Sequence, residues 1–293
     1  MIIAEVVGGL ANQMIIYAAG RALAERKNTQ LMLDLGKLQK DKLRKYQLFH
    51  LDISAGLASP DDIARIRKSS KIKVVEKIKS KIRKKLKLSV PYIYKEPLCS
   101  YDDCFWSLPD NVYIGGNFIS TKYFDGIKSI LIKEFSVKSA LSRTTEVMCE
   151  SMNNSESVSI HVRRGDFASN PHTKEFHGLI DVDYYFRAMS YIESRISNPS
   201  YFLFSDDIGW ARENIVSANP ITFVDHVGQE DAYEDMHLMK NCKHNILANS
   251  GFGYWGAWLN ENGQKIVVAP QKWFANDEVN ALFDLIPKDW IRL

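Results

Sequence analysis

The chain has 293 residues, 45% of them hydrophobic, and a formal net charge of +3 at pH 7. That is enough apolar material for a substantial core, as one large α/β domain or two smaller ones, and too balanced a charge for a polycation. Four scattered cysteines (Cys99, Cys104, Cys149, Cys242) carry no paired CxxC spacing, which argues against a disulfide framework or a zinc site and for a reducing compartment.

Ile2 to Val7 is a β-branched run that ends in Gly8-Gly9 and leads into a helical pattern over about 11–26. Met14, Ala18 and Ala22 share one face of that helix. The opening lacks the charged start and long apolar run of a signal peptide, and no stretch approaches the roughly 18 apolar residues of a membrane span. A soluble, cytoplasmic protein is expected. Residues 65–88 then hold twelve Lys or Arg and one acid, a local charge of +11 that leaves −8 on the rest. Val75, Ile78, Ile82 and Leu86 recur there at helical steps, giving a basic amphipathic helix. It suits peripheral contact with an anionic membrane, or docking by its apolar stripe with solvated lysines. No stacking aromatics are interleaved with the lysines, so no nucleic-acid partner is expected.

From Glu156 the chain alternates. Strands are expected at 158–162, 201–204, 221–224, 245–248 and 265–269, with helices near 182–195, 208–216, 230–242 and 254–260. That order implies α/β architecture with a parallel sheet. A boundary is expected within 137–156, giving domains 1–150 and 151–293, two Rossmann-like halves.

Four strand ends carry polar motifs. In VSIHVRRGDF, Val158, Ile160 and Val162 share one strand face, and Ser159, His161 and Arg163 the other. Three aligned polar side chains suit a site better than a core. An arginine at a strand's carboxyl end can hold a phosphate bidentately; an Arg163–Asp166 or Arg164–Asp166 ion pair that only shapes the turn is the alternative. In YFLFSDDIGW, one of Asp206 and Asp207 reads as a helix N-cap, leaving the other to bind ribose or base. In NILANSGFGYWGAWL, the turn Asn249-Ser250-Gly251-Phe252 opens a helix whose free N–H groups suit a pyrophosphate. Tyr254, Trp255 and Trp258 after it read as core. The opening Gly8-Gly9-Leu10-Ala11-Asn12-Gln13 is a fourth such junction. Neither a Walker loop nor a G-x-G-x-x-G follows any strand.

Together these motifs, with Asp235-Met236 and Cys242-Lys243-His244-Asn245, resemble the α-1,2-fucosyltransferases of glycosyltransferase family 11 over nearly the whole chain. The HxRRGD segment is shared with α-1,6- and protein O-fucosyltransferases, so it points to GDP-fucose chemistry more than to linkage. The resemblance implies a GT-B-like fold, its two halves facing across a cleft. It implies GDP-fucose as donor, inversion at the anomeric carbon, transfer to a glycan hydroxyl (the 2-OH of galactose), no cofactor and no obligatory metal. Arg163 would hold the β-phosphate, with His161 and Asp166 as catalytic residues beside it and Arg164 as a donor contact. Gly9, Asn12, Gln13, Asn249 and the Ser250–Phe252 backbone would line the pyrophosphate, and Asp206 or Asp207 the nucleoside. The chain departs from the family at Ala11 (usually Gly), at Ile15-Ile16 (usually aromatic-Gln) and at Gly251-Phe252-Gly253-Tyr254 (usually Thr-Phe-Ser-Trp).

Glu175 and His177, on an expected loop, are the candidate bases for the acceptor hydroxyl. Asp181-Val182-Asp183 mimics a metal-binding DxD, but Asp183 is expected to cap a helix. The alternatives are another linkage, another GDP-sugar, or a non-catalytic glycan- or nucleotide-binding protein on the same fold. The acceptor itself, lipid-linked or not, is not legible.

Overall fold

The computed structural model describes residues 1–70, 92–97 and 100–293. Most of the basic stretch 65–88, with the amphipathic helix expected there, lies outside the described residues. Two compact units divide the chain, Met1–Ser136 and Val137–Leu293.

The first unit is a five-stranded parallel sheet. Its strands are β1 (Ile2–Glu5), β2 (Leu31–Asp34), β3 (Gly56–Leu57), β4 (Tyr92–Lys95) and β5 (Val112–Gly115), in the order β3-β2-β1-β5-β4. Helix α1 (Leu10–Arg26) is buried along most of its length, including Ile15 and Ile16, so those two apolar departures serve the core. Helices α2 (Pro60–Ser70) and α3 (Lys128–Glu134) complete the unit's described α-helices.

The β1–α1 turn is fixed by two residues. Gly8 has φ +78°, and a Cβ there would stand 2.5 Å from Asn12 Nδ2, so the position demands glycine. Gln13 is fully buried and spends its whole amide on backbone. Nε2 donates to Gly8 O (2.9 Å) and Lys45 O (2.7 Å), and Oε1 accepts from Gln47 N (2.9 Å). Gln13 therefore clips the 45–47 segment to the turn. It is not free to bind donor, which corrects the expectation for it.

The second unit holds α4 (Arg143–Asn153), β6 (Glu156–Val162), α5 (Gly165–Ser169), α6 (Pro171–His177), α7 (Val182–Glu193), β7 (Pro199–Ser205), α8 (Ile208–Asn214) and β8 (Ile221–Val224). After these come α9 (Ala232–Asn241), β9 (His244–Ile246), α10 (Gly251–Trp258), β10 (Val267–Ala269), α11 (Asp277–Leu282) and β11 (Ile291–Arg292). Its six parallel strands run β11-β10-β9-β6-β7-β8. The division falls at 136/137 rather than 150/151 because α4 belongs here: Met152 is buried with Phe202, Phe204, Val224 and Leu238.

Val158, Ile160 and Val162 of β6 pack on Tyr184, Tyr185, Ala188 and Met189 of α7. The other face of β6 is buried too: Ser159 is 2% and His161 6% exposed. Ser159 is satisfied by Asn245 Nδ2 at 2.7 Å. The polar alternation thus marks a second buried face, not an open one. Tyr254, Trp255 and Trp258 are core, as expected.

The chain builds the second sheet outward from β6 through β7 to β8, then returns to β9 on the other side of β6 and continues to β11. The strand order therefore reverses between β6 and β9, and a crevice opens outside their carboxyl ends. Replacing Gln13 by Ala strands Gly8 O, Lys45 O and Gln47 N at once. It should cost about 3 kcal/mol in urea unfolding, whereas a surface substitution in α1 should cost under about 0.5 kcal/mol.

Candidate active site

At the carboxyl end of β6 the chain turns through Arg163 and Arg164 into α5. The Arg163 guanidinium is held by two carboxylates, Nη2 to Asp166 Oδ1 at 2.5 Å and Nη1 to Asp206 Oδ2 at 2.8 Å. It also lies 5.3 Å over the Phe167 ring. Arg164 sits 3.8 Å over the Trp210 ring and 3.4 Å from Asp207 Oδ2. Asp206 Oδ1 accepts from Arg164 N at 2.8 Å, so this carboxylate holds the side chain of Arg163 and the backbone of Arg164. Gly165 leaves room for it, since a Cβ there would stand 2.4 Å from Asp206 Oδ2. Asp207 is the N-cap of α8, accepting from Trp210 N at 3.3 Å. Of the aspartate pair, then, one caps and the other faces the arginine.

Across the switch, β9 runs into Asn249-Ser250-Gly251. Ser250 caps α10, accepting from Phe252 N at 3.3 Å. Asn249 is 2% exposed; its Nδ2 donates to His177 O (2.9 Å) and Trp273 O (3.1 Å). Through Nδ2 it holds the end of α6 against the 273–275 segment, while its Oδ1 is buried without a hydrogen-bond partner. Gly253 lies against His161, where a Cβ would come within 2.8 Å of Nδ1. The missing hydroxyl at 253 thus goes with close packing of α10 on β6. His161 is sealed beneath that contact, and burial, then the Arg163 charge, push its pKa down to about 3. It is a neutral packing residue rather than a catalytic one.

In the first unit, Gly9 is the N-cap of α1, without a side-chain cap bond, and Asn12 is exposed on the first turn. Arg44 Cδ lies 3.9 Å from where a Gly9 Cβ would be.

The expected loop carrying Glu175 and His177 is helix α6, capped by Asn170, whose Oδ1 accepts from His172 N and Thr173 N, with Pro171 at its start. Glu175 points to solvent. His177 does not: its ring stacks on Phe167 at 4.4 Å and 14°, and burial lowers its pKa. Its Nδ1 is buried without a hydrogen-bond partner. Of the two candidate bases, only His177 shares a contact, Phe167, with Arg163. Asp181, not Asp183, caps α7, accepting from Tyr184 N at 2.7 Å. Among the described residues no group of three or more His, Cys, Asp or Glu could hold a metal ion.

One residue was named in the sequence only as part of a resemblance, without a role. Asp235 on α9 is largely buried, Oδ1 has no hydrogen-bond partner, and burial, then the neighbouring Glu234, push its pKa up to about 7. Met239 lies against Gly256 of α10. Phe252 of α10 lies 5.8 Å from His161. One of two adjacent acids inside a helical pattern gives no sign of burial in the sequence.

Residues 57–293 match the family model described as Glycosyl transferase family 11. The chain belongs to that family. It is 31% identical to an alpha-1,2-colitosyltransferase of Escherichia coli, covering 100% of this chain and 99% of the relative. It is also 31% identical to the O-antigen biosynthesis glycosyltransferase WbnK of Escherichia coli, covering 98% of each. Among solved structures it resembles FUT1 of Arabidopsis thaliana in complex with GDP, with TM-score 0.50, 12% identity, and 95% of this chain and 72% of that one covered. The fold is GT-B-like, and the Arg163 latch stands at the switch point of this family 11 glycosyltransferase.

Asp235 gives a pH signature. Its carboxyl is comfortable protonated and is forced to ionise, buried, as pH rises through about 7. Its contribution to stability is therefore present in acid and lost on the way to alkaline pH. Asp235→Asn should gain on the wild type in thermal melts between pH 5 and 8.5, by up to roughly 3 kcal/mol. An unchanging gap would mean an ordinary carboxylate.

Proposed function

We propose that the chain transfers a 6-deoxyhexose, fucose or its 3-deoxy analogue colitose, from its GDP conjugate to a galactose 2-OH of a glycan, with inversion. The carrying observation is the Arg163 latch at the carboxyl ends of β6 and β7, next to β9, whose chain leads into the Ser250-capped start of α10. The reaction forms a bond from C1 to the acceptor oxygen and breaks the bond from C1 to the β-phosphate oxygen. The leaving GDP takes the electron pair, and the acceptor's proton goes to a base. Charge grows on the β-phosphate as the bond lengthens, through an oxocarbenium-like transition state. Arg163 and the N–H groups opening α10 stabilise that charge. To reach Arg163 the diphosphate takes the place of one carboxylate, Asp166 or Asp206, on the guanidinium.

Asp235 supports a guanine nucleotide. Guanine presents N1–H and N2–H donors side by side, which a carboxylate accepts bidentately, and Asp235 offers a buried oxygen without a hydrogen-bond partner. His177 is the proposed base: burial keeps its ring neutral at physiological pH, and it stacks on the ring that Arg163 covers. On the first unit, Gly9 and Asn12 remain proposed donor contacts, as do Arg164 and the Gly251 N–H on the second, where Ser250 N donates to Ala248 O and Phe252 N to Ser250 Oγ. The relatives' names leave two donors open. GDP-fucose and GDP-colitose differ only in the sugar's 3-hydroxyl, so a side-by-side assay decides between them.

GDP release should be stimulated by galactose-terminated acceptors with one of these donors, and Arg163→Ala should lose about 100-fold or more in kcat. Near-normal turnover by that variant would remove the arginine's role; no release and no GDP binding by wild type would remove the donor reading. The pH profile of kcat/KM should stay flat through neutrality and fall only below the ordinary histidine range, because the base must be unprotonated and its pKa is lowered. His177→Gln should abolish that acid limb along with most of the rate.

A further inference from the structure

Residues 40–49, KDKLRKYQLF, form a loop in the first unit with four basic residues and one acid. Leu43 is 80% exposed and Phe49 51%, the former at the tip of a turn fixed by Asp41 Oδ1, which accepts from Leu43 N (2.8 Å) and Arg44 N (3.2 Å). Single exposed leucines are common on surfaces and usually mean nothing. Three features set this one apart. The loop is held in place, because Gln13 clips its backbone at Lys45 and Gln47. Lys40, Lys42 and Lys45 are exposed, and none has an ion-pair partner among the described residues. Tyr46 and Phe49 stand with ring centroids 6.1 Å apart, and the Phe49 ring lies tilted against His50 at 3.9 Å, an aromatic cluster in the same loop as the leucine.

From this placement we propose that the 40–49 loop docks the protein on an anionic membrane surface, Leu43 and Phe49 entering the headgroup boundary. A fixed apolar tip ringed by unpaired lysines matches what such a surface offers, hydrocarbon below and negative charge above. Tyrosine and phenylalanine beside the tip suit the interfacial zone. The inference does not depend on the donor assignment. Arg44 of the loop lies over Gly9, so docking brings the start of α1 to the lipid surface, where a lipid-anchored acceptor would present its sugars.

The full chain should co-sediment with vesicles containing phosphatidylglycerol, much less with pure phosphatidylcholine, and the binding should weaken at high salt. Leu43→Ser with Phe49→Ser should weaken partitioning about 10-fold or more. A triple Lys→Glu change at Lys40, Lys42 and Lys45 should remove most of the salt-sensitive part. Unchanged melting of both variants would show that the fold survives; where either melts early, Leu43→Ser alone is used, with a weaker but still measurable loss. Equal binding to neutral and anionic vesicles, or no binding by wild type, would overturn the proposal. Both variants leave residues 71–88 intact, so undiminished binding would assign the contact to that stretch and overturn it as well.

Discussion

A guanidinium gripped by two carboxylates at the end of a buried strand is the interaction on which the rest of this site depends. Arg163, Asp166 and Asp206 together carry one negative charge more than positive, in a half-buried place where an unpaired arginine would be costly. The latch keeps the arginine extended and oriented while no anion is present. Gly165 is glycine because the second carboxylate occupies the space a side chain would take. The strand beneath is sealed on both faces, by α7 on one and by α10 on the other, so the arginine rests on a rigid floor. A fixed charge of that kind favours developing phosphate charge without reorganising at the moment of reaction.

Much of this was legible in the amino-acid order. The alternation after residue 156 gave every strand of the second sheet except its last, β11. The reversal between β6 and β9 explains why two distant motifs, one around Arg163 and one around Ser250, belong to a single crevice. The Asp206-Asp207 pair before the helical pattern at 208–216 marked a helix start, and Asp207 caps it. These features were readable because they are local: periodicity, a cap, a glycine turn.

What was not legible depended on packing between elements distant in sequence. His161 sits on a polar strand face that looks open in sequence but is covered by Gly253 of a helix some ninety positions later. Gln13 and Asn249 look like ligand-binding amides, yet each spends its donors on backbone carbonyls from other segments. Asp235 looks like one acid of a solvated helix face, yet its carboxyl is largely buried with one oxygen unpartnered. Amides and acids next to glycine turns serve binding and scaffolding alike, and only the hydrogen-bond partners separate the two.

The most direct test of the account is a crystal structure with GDP bound. The account predicts the β-phosphate on the Arg163 guanidinium, with one of Asp166 and Asp206 turned away, and the diphosphate against the first N–H groups of α10. A diphosphate bound elsewhere, with the Arg163–Asp166–Asp206 latch intact, would contradict it.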